Sequence, residues 1–374
     1  MTVMLKPAKL AGEIAGMPSK SDLHRLMIAA WLAGMDIDNL PMISEDIEAT
    51  KQCLMLNAKC VMNCRESGST LRFLLPVMAA LGRRVAFTGE GRLPERPMQP
   101  LIDLLRKHGC AVNSERLPLH ISGQLQPGRF ELPGDISSQY ITGLLFALPL
   151  LDGDSEIVLT SPLESAGYVE MTLRTLAKFG ITAWETQHGW QVPGSQKYLA
   201  PDSSPLMPEA DWSNAAFWLA AGVRVSGLDD QSAQPDRAIA ALLEHHSVMD
   251  ASQCPDLVPI MAVVMALRPG ESRIVNAARL RLKESDRLST MAQNLRALGA
   301  DIVELPDGLV IRGANKLQGG EVQSFGDHRI AMAMAIAALK CEEGVKLFDA
   351  QVVAKSYPAF WDDYQWLGGQ YHEC

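Results

Sequence analysis

The stretch STLRFLLPVMAALG, residues 69–82, is apolar on nearly every side of the helix that its composition favours. Five other stretches share this character: HRLMIAAWLAG (24–34), SSQYITGLLFALPLL (137–151), NAAFWLAAGV (214–223), DLVPIMAVVMAL (256–267) and DHRIAMAMAIAAL (327–339). Because a helix that is hydrophobic all round cannot face water, each is expected to be buried inside a domain. The sequence therefore predicts a fold built around six buried helices.

A second, amphipathic helix pattern is interleaved with the buried helices, and each time it runs into a short break and a strand-like segment. The breaks fall at Gly109, Gly180, Gly299 and Gly368, near Asn57–Ala58 and near His246. Their spacing indicates a repeat of about 50 to 70 residues. A chain of 374 residues exceeds the size at which one hydrophobic core stops growing, so six copies predict two domains of three repeats.

The overall composition limits the kinds of partner and compartment. The 34 Lys and Arg residues against 43 Asp and Glu give a net charge of -9, which argues against nucleic acid or an anionic membrane as the main partner. The 7 cysteines contain no C-x-x-C pair, which is typical of a reducing cytosol. Residues 1–9 lack a signal-peptide pattern, and no apolar run reaches the roughly 18 residues of a membrane span, so we expect a cytoplasmic protein.

Polar residues are concentrated at the starts of the buried helices. Ser, Asp and Asn are the residues that a helix N-terminus prefers, so N-capping explains many of them. Capping does not explain Lys20, Arg25 or Arg329, because a cation at a helix N-terminus opposes the helix dipole. A bound anion that contacts both the helix end and the cation does explain them. The expected ligands are phosphates and carboxylates.

Candidate binding residues in the first half of the chain lie in short polar motifs. In PSKSDLHR, one anion could be held by Lys20, Ser21 and Arg25 together. Gly68 in ESGSTLR either lets a ligand approach the backbone or simply begins a capped helix. Arg96 in LPERP either binds an anion or forms a surface ion pair. Groups suited to holding a phosphate follow at Ser137, Ser138, Gln139, Ser165 and Tyr168.

The second half of the chain carries the candidate acid and base groups. Asp256 lies at the mouth of an apolar helix, where it is either a cap or a general base. Lys283, Glu284 and Arg287 form the densest group of charges beside an apolar stretch. Between cations Glu284 would have a low pKa, so its use as a proton donor requires burial. The remaining candidates are Asp327, His328 and Arg329 before the sixth helix, and Lys355 in the last loop.

Cofactor motifs are missing from the sequence. It has no Walker A loop, no G-x-G-x-x-G after a strand, and no group of His, Cys and carboxylates at metal-ligand spacing. We therefore expect chemistry that uses neither a metal nor a cofactor.

Taken in order, the motifs SSQY, YVEMT, KESDRL, GDHRIAM and AKSYP resemble those of the enolpyruvyl transferases, and most closely those of the members that act in the shikimate pathway. The resemblance extends from Lys6 to about Tyr364. It implies an α/β (α+β) fold of two domains, each with three βαβαββ repeats and buried parallel helices. The domains are expected to comprise residues 1–17 with 212–374, and residues 18–211, with the active site in the cleft between them.

The resemblance implies a reaction between two small anionic substrates in an enzyme that tends to be monomeric. The 5-hydroxyl of shikimate 3-phosphate adds to the enol ether carbon of phosphoenolpyruvate, and the tetrahedral intermediate eliminates phosphate. The product, 5-enolpyruvylshikimate 3-phosphate, leads to chorismate and the aromatic amino acids.

The resemblance also implies roles for residues at matching positions. Asp256 would take the hydroxyl proton, Glu284 with Lys20 would move the proton at the methylene carbon, and His328 would lie beside the leaving phosphate. Shikimate 3-phosphate would be bound by Lys20, Ser21, Arg25, Ser137, Ser138, Gln139, Ser165, Tyr168, Asp256 and Lys283. Phosphoenolpyruvate would be bound by Lys20, Gly68, Arg96, Gln139, Lys283, Arg287, Arg329 and Lys355.

Three features depart from the family pattern. Arg65-Glu66 stands where Gly-Asn is common, Arg279 stands where many members have asparagine, and Trp212 replaces a small residue. The first departure bears on the phosphoenolpyruvate pocket and on the response to glyphosate, an inhibitor of the family. The chain is also shorter than most relatives, so some loops are expected to be trimmed.

Two other functions compete with this interpretation. A transferase acting on UDP-N-acetylglucosamine would share the fold but typically needs a reactive loop cysteine, whereas Cys110 lies in a helix-break-strand segment. A non-catalytic paralogue that binds an anionic metabolite would be favoured by loss of Asp256, Glu284 or Lys20, and all three residues are present.

Overall fold

The computed structural model describes residues 1–55, 61–202, 206–244 and 247–374. The breaks predicted near Asn57–Ala58 and near His246 lie outside these residues. The helices are α1 (Lys20–Leu32), α2 (Glu45–Met55), α3 (Gly68–Ala80), α4 (Gln99–Lys107), α5 (Ser138–Ala147), α6 (Ala166–Lys178), α7 (Trp212–Ala220), α8 (Ile239–Leu242), α9 (Val258–Ala266), α10 (Arg287–Ala297), α11 (His328–Ala338) and α12 (Phe360–Trp366).

The strands are short, between three and six residues. They are β1 (Val3–Lys6), β2 (Glu13–Ala15), β3 (Val61–Asn63), β4 (Val85–Thr88), β5 (Cys110–Val112), β6 (Leu119–Gly123), β7 (Arg129–Leu132), β8 (Ser155–Leu159), β9 (Trp184–Thr186), β10 (Gly189–Val192), β11 (Arg224–Ser226), β12 (Val248–Asp250), β13 (Gly270–Val275), β14 (Asp301–Leu305), β15 (Gly308–Gly313), β16 (Gly320–Gln323), β17 (Val345–Phe348) and β18 (Gln370–Glu373).

The chain divides into two compact units. Unit 1 consists of Met1–Ser19 with Glu209–Cys374, and unit 2 is the single segment Lys20–Pro208. Each unit has a hydrophobic core of its own. The chain leaves unit 1 after Ser19 and returns to it at Glu209. These two residues lie side by side, because Ser19 N donates to Glu209 O over 2.7 Å.

Unit 2 contains two complete βαβαββ repeats. In the first, β3-α3-β4-α4-β5-β6, the sheet order is β3-β4-β6-β5, and in the second, β7-α5-β8-α6-β9-β10, it is β7-β8-β10-β9. The first two strands of each repeat are parallel and the other pairs are antiparallel. Helices α1 and α2 precede these repeats, and residues 20–55 contain no strand.

Unit 1 also contains two complete repeats. The first is β12-α9-β13-α10-β14-β15, with sheet order β12-β13-β15-β14. The second is closed by the N-terminus of the chain, because β1 lies between β17 and β18 in the order β16-β17-β1-β18. A shorter element in the same unit pairs β2 with β11 in parallel beside α7 and α8.

The six apolar stretches form α1, α3, α5, α7, α9 and α11, so the predicted buried helices and the α/β class are confirmed. Every described residue of α11 is buried, as the absence of a polar face requires. The Cβ that Gly143 lacks would lie 2.2 Å from Arg72 O, so only glycine lets α5 approach α3 this closely. No helix in the described ranges is long and apolar enough to cross a membrane.

Candidate active site

The start of α3 brings a helix N-terminus and a cation together in unit 2. Ser67 caps the helix, because its hydroxyl accepts a hydrogen bond from Thr70 N over 3.2 Å. A Cβ on Gly68 would lie 2.7 Å from Arg96 Nη1, so the guanidinium lies directly against the Gly68 backbone. Free backbone N–H groups beside a cation favour an anionic ligand.

Gln139 at the start of α5 belongs to the same group. Its Nε2 donates to Ser69 Oγ over 2.9 Å, and its Oε1 accepts from Arg72 Nη1 over 2.7 Å. Gln139 therefore links the N-terminal turns of α5 and α3. The adjacent Ser137 hydroxyl caps α5 by accepting from Gln139 N.

Arg72 is a residue whose part in this group the sequence interpretation missed. Its side chain is almost fully buried and donates to Pro97 O over 3.0 Å as well as to Gln139. A signal was available, since Arg72 is the one cation in the apolar stretch 69–82. A charge kept at such a position needs a partner, because an isolated buried charge is costly.

At the start of α1, Lys20 forms an ion pair with Asp46 of α2 over 2.8 Å. The sequence interpretation did not select Asp46. The pair spans 26 positions in the chain, and nothing in the local pattern indicates it.

Arg25 lies one turn further along α1 and is buried. It donates through Nε to Thr172 Oγ1 over 2.9 Å, and through Nη1 and Nη2 to Ser21 O and Tyr168 O. Burial lowers the pKa of Arg25 to about 10, so the side chain stays charged at neutral pH. Ser165, the residue before α6, is buried and has a left-handed backbone with φ of 57°.

In unit 1 the predicted acid and base residues form one connected group around Arg287, here called the Arg287 cluster. Arg287 donates to Asp256 over 2.7 Å, to Glu284 over 2.9 Å and to Asp327 over 2.8 Å. Asp256 is also paired with Arg329 over 3.1 Å and with Lys283 over 3.8 Å. These ion pairs join six candidate residues of the sequence into one group: Asp256, Lys283, Glu284, Arg287, Asp327 and Arg329.

The charges of the Arg287 cluster set the protonation of its members. Burial by itself would raise the pKa of Asp256, but Arg329, Lys283 and Arg287 outweigh it and hold that pKa well below its ordinary value. Burial lowers the pKa of Lys283 to about 8, against the opposing effect of Asp256. Asp256 is therefore ionised at neutral pH, whereas Lys283 titrates near it.

The start of α11 completes the group. Asp327 caps the helix by accepting from Arg329 N over 2.9 Å while its carboxylate faces Arg287. His328, the first residue of the helix, is buried. Lys355 donates to Gly326 O over 2.9 Å and so lies against the turn that precedes Asp327.

The departures from the family pattern have visible partners. Arg65 forms an ion pair with Glu48 of α2 over 2.7 Å, and Arg279 donates to Ser252 O over 2.5 Å. Trp212 is buried in the first turn of α7 and donates through Nε1 to Asp229 O.

Two other kinds of chemistry have no support in the described residues. Cys110 is buried in β5, and burial raises the pKa of its thiol to about 11, so it is not a reactive thiolate. Among the residues with described positions, no group of three or more His, Cys, Asp or Glu side chains is placed to hold a metal ion.

Comparison with known proteins gives one consistent result. The model of a family described as EPSP synthase (3-phosphoshikimate 1-carboxyvinyltransferase) matches residues 54–245 and 223–364. The 3-phosphoshikimate 1-carboxyvinyltransferase of Clostridium acetobutylicum is 43% identical over 424 residues, covering 99% of this chain and 98% of the relative. That of Clostridium kluyveri is 40% identical over 422 residues, again covering 99% and 98%.

A solved structure agrees with the fold. EPSP synthase from Acinetobacter baumannii superimposes with a TM-score of 0.80 and 21% sequence identity, and the match covers 100% of both chains. With the family motifs present in order and relatives this similar over nearly the whole length, the chain belongs to the EPSP synthase (3-phosphoshikimate 1-carboxyvinyltransferase) family of transferases.

Proposed function

We propose that this protein transfers the enolpyruvyl group of phosphoenolpyruvate to the 5-hydroxyl of shikimate 3-phosphate and releases phosphate, as a step of the shikimate pathway. The observation that carries the proposal is the Arg287 cluster, in which one ionised carboxylate, Asp256, is surrounded by three cations next to a second carboxylate, Glu284. Cations bind both substrates, and the carboxylates move protons.

Phosphoenolpyruvate binding is assigned to residues of both units. In unit 2 the Gly68 backbone, Arg96 and Gln139 converge at the start of α3. The other members of the proposed set are Lys20, Lys283, Arg287, Arg329 and Lys355. Preorganised cations and helix N-termini lower the cost of gathering the charge of carboxylate and phosphate in one place.

Shikimate 3-phosphate binding is assigned mainly to unit 2. Support comes from the starts of α1, α5 and α6, which carry hydroxyl, amide and cationic groups. The proposed set is Lys20, Ser21, Arg25, Ser137, Ser138, Gln139, Ser165 and Tyr168, with Asp256 and Lys283 from unit 1. Arg25 holds Tyr168 and Ser21 through their carbonyl oxygens and fixes that wall of the site.

Asp256 is proposed as the base for the 5-hydroxyl, although three cations keep it a weak base in the free enzyme. Bound substrates supply anions that compete with Asp256 for Arg329, Arg287 and Lys283. As these cations turn to the substrates, the pKa of Asp256 rises toward the range that a general base needs. Substrate binding thus activates the base.

Glu284 and Lys20 are proposed to move the proton at the methylene carbon, and His328 to lie beside the leaving phosphate. Glu284 is held by Arg287 over 2.9 Å and its side chain is only 22% exposed. A glutamate between cations must be shielded from water to serve as a proton donor, and this partial burial of Glu284 supports the proposed role.

The experiment that tests the function is phosphate release from phosphoenolpyruvate with shikimate 3-phosphate, run beside UDP-N-acetylglucosamine as acceptor. We expect release with the shikimate compound alone, and a loss of at least about a hundredfold in Glu284→Gln, which keeps the shape but not the proton. Glu304→Gln, at an ion pair with Arg281, is the matched control and should retain activity. Tight binding of both anions without turnover would instead indicate a non-catalytic protein.

We also propose that the enzyme acts as a monomer in the cytoplasm and needs no cofactor. The supports are the acidic net charge of -9 and the free thiols of Cys53, Cys64, Cys110, Cys254, Cys341 and Cys374. Light scattering during gel filtration tests the first point: a mass of one chain supports it, and a mass of two or more contradicts it.

A further inference from the structure

Four buried polar side chains of unit 2 form a continuous series of hydrogen bonds that the roles proposed above do not use. His24 Nδ1 lies 2.8 Å from Thr50 Oγ1, Thr50 Oγ1 lies 2.6 Å from Thr70 Oγ1, and Thr70 Oγ1 donates to Ser67 Oγ over 2.7 Å. None of the four residues is more than 1% exposed. The series, here called the His24 network, joins α1, α2 and α3.

The direction of donation follows from the ring of His24. Burial lowers the pKa of His24 to about 3, so the ring is neutral and carries a single N–H. His24 Nε2 is buried without a hydrogen-bond partner in the described part of the chain. An N–H at Nε2 would be an orphaned donor, which folded proteins avoid, so we assign the proton to Nδ1. Because Thr70 donates its hydroxyl proton to Ser67, Thr50 donates to Thr70 over 2.6 Å rather than to Asp46 O, which lies 3.4 Å away.

The His24 network ends where the N-terminal turn of α3 is fixed. Ser67 Oγ accepts from both the hydroxyl and the backbone N–H of Thr70. The next residue is Gly68, whose backbone lies against the Arg96 guanidinium. A rotation of Ser67 would release this turn and move the backbone N–H groups that follow it.

The other end of the network lies beside Lys20. His24 is one turn after Lys20 in α1, and Thr50 is one turn after Asp46, the partner of Lys20, in α2. The ring of His24 also packs edge-on against Phe73 of α3. The hydrophobic effect has no preferred direction, whereas hydrogen bonds fix both distance and direction. The network therefore ties together α1, α2 and α3, and the first turns of α1 and α3 carry proposed substrate ligands.

We propose that the His24 network positions the first turn of α3 for phosphoenolpyruvate, with His24, Thr50 and Thr70 as positioning residues that do not contact the substrate. The inference rests on the proposed phosphoenolpyruvate-binding role of Gly68 and Arg96. It adds residues that the family motifs do not single out. Valine at position 50 or 70 would keep the branched shape of threonine and remove only the hydroxyl, so this exchange tests the hydrogen bonds directly.

The test is a kinetic comparison of Thr70→Val, which removes the hydroxyl at constant shape, with Thr70→Ser, which keeps it. We expect Thr70→Val to raise KM for phosphoenolpyruvate by about tenfold, the effect of one or two lost hydrogen bonds, and KM for shikimate 3-phosphate by less than about twofold. Thr70→Ser should restore the parent values. Thr175→Val is the matched control, since Thr175 is equally buried but donates to Met171 O within α6.

A purely structural role would lower the melting temperature of Thr70→Val and Thr175→Val alike and leave both KM values unchanged, which overturns the proposal. If Thr70→Val fails to fold, Thr50→Val breaks the network one link away and is judged by the same ratio of KM values. The experiment also distinguishes a wrong proposal for the His24 network from a wrong proposal for phosphoenolpyruvate binding at Gly68 and Arg96. Gly68→Ala acts on the site directly, so a raised KM there with unchanged Thr70 and Thr50 variants rejects the network alone.

Discussion

At Gly68 the absence of a side chain leaves room for the Arg96 guanidinium. A methyl group there would lie 2.7 Å from Arg96 Nη1, closer than any real contact. Because that atom is the end of a flexible side chain, Gly68→Ala should fold and shift Arg96 instead. We expect KM for phosphoenolpyruvate to rise by about tenfold or more, as for loss of one charge-assisted hydrogen bond.

The control for this substitution is Gly153→Ala. Its new methyl group meets Pro127 Cγ at 3.1 Å, away from every proposed ligand. Steady-state kinetics with each substrate varied in turn separates the two variants. An unchanged KM for phosphoenolpyruvate in Gly68→Ala would remove Gly68 and Arg96 from the proposed binding set.

Lys283 predicts how activity depends on alkaline pH. Burial lowers its pKa to about 8, so the free enzyme loses this cation as the pH rises through that value. We expect kcat/KM to fall above about pH 8, because kcat/KM reports ionisations of the free enzyme. In Lys283→Arg the guanidinium stays charged, so the alkaline limb should move to higher pH even if the rate is lower. An alkaline limb at the same pH in both enzymes contradicts the assignment.

The same ionisation affects stability with the opposite sign. Between about pH 8 and 10.5 the lysine is neutral in the folded state and protonated in the unfolded state. The unfolded state then binds more protons, so this contribution to the free energy of unfolding increases with pH. Urea unfolding measures this for the parent and for Lys283→Met from pH 7 to 10. The free energy of unfolding of the parent should rise relative to that of Lys283→Met as the pH increases.

Among the helices, α11 shows how one residue serves as a cap and as a counter-ion. Asp327 is fully buried, caps α11 and pairs with Arg287, itself 1% exposed. Asp327→Asn keeps an acceptor for the cap but removes the charge, and we expect a loss of about 3 kcal/mol because a buried ion pair is broken. Asp286→Asn is the control: Asp286 also caps a helix, but its partner Arg281 is partly exposed, so the loss should stay under about 1 kcal/mol.

Chemical denaturation measures both values under one condition. If both variants lose the same free energy of unfolding, then Asp327 stabilises the protein by capping α11 and not through its buried ion pair with Arg287.

The buried helices are the elements that the sequence predicts best. A helix such as 328–338 can only lie inside a domain, because its apolar surface must be covered on every side. The polar helix starts were predicted to be either caps or anion ligands, and the structure confirms side-chain caps by Ser67, Ser137, Asp211 and Asp327. Capping by Asp327 does not exclude a ligand role for its neighbour Arg329, whose guanidinium pairs with Asp256 over 3.1 Å.

The pairing of charges was beyond sequence reasoning. Packing between helices brings together residues that are far apart in the chain. Lys20 and Asp46 are separated by 26 positions, and Arg72 and Gln139 by 67. No local pattern records such contacts. The same holds for Asp256, whose three cationic partners come from α10, α11 and the loop before α10.

At the scale of the whole molecule, the repeats are unequal. Four repeats have a four-stranded sheet each. The other two are incomplete: one consists of α1 and α2, and the other has only the β2–β11 pair beside α7 and α8. A repeat-length estimate from helix breaks detects the helices of each copy and is blind to the loss of strands of three or four residues. Each unit nevertheless keeps two complete four-stranded sheets and a hydrophobic core of its own.

The continuity of unit 2 yields the last prediction. Residues 20–208 are one uninterrupted segment with a separate core, so this fragment should fold cooperatively without unit 1. Because most proposed ligands of shikimate 3-phosphate lie in unit 2, the fragment should bind that compound more weakly than the full chain does. It should release no phosphate from phosphoenolpyruvate, since Asp256 and Glu284 are absent. Circular dichroism, denaturant unfolding and calorimetric titration test the three points. A folded fragment without affinity for shikimate 3-phosphate would reject the proposed division of substrate binding between the units, and an unfolded one would show that the core of unit 2 depends on unit 1.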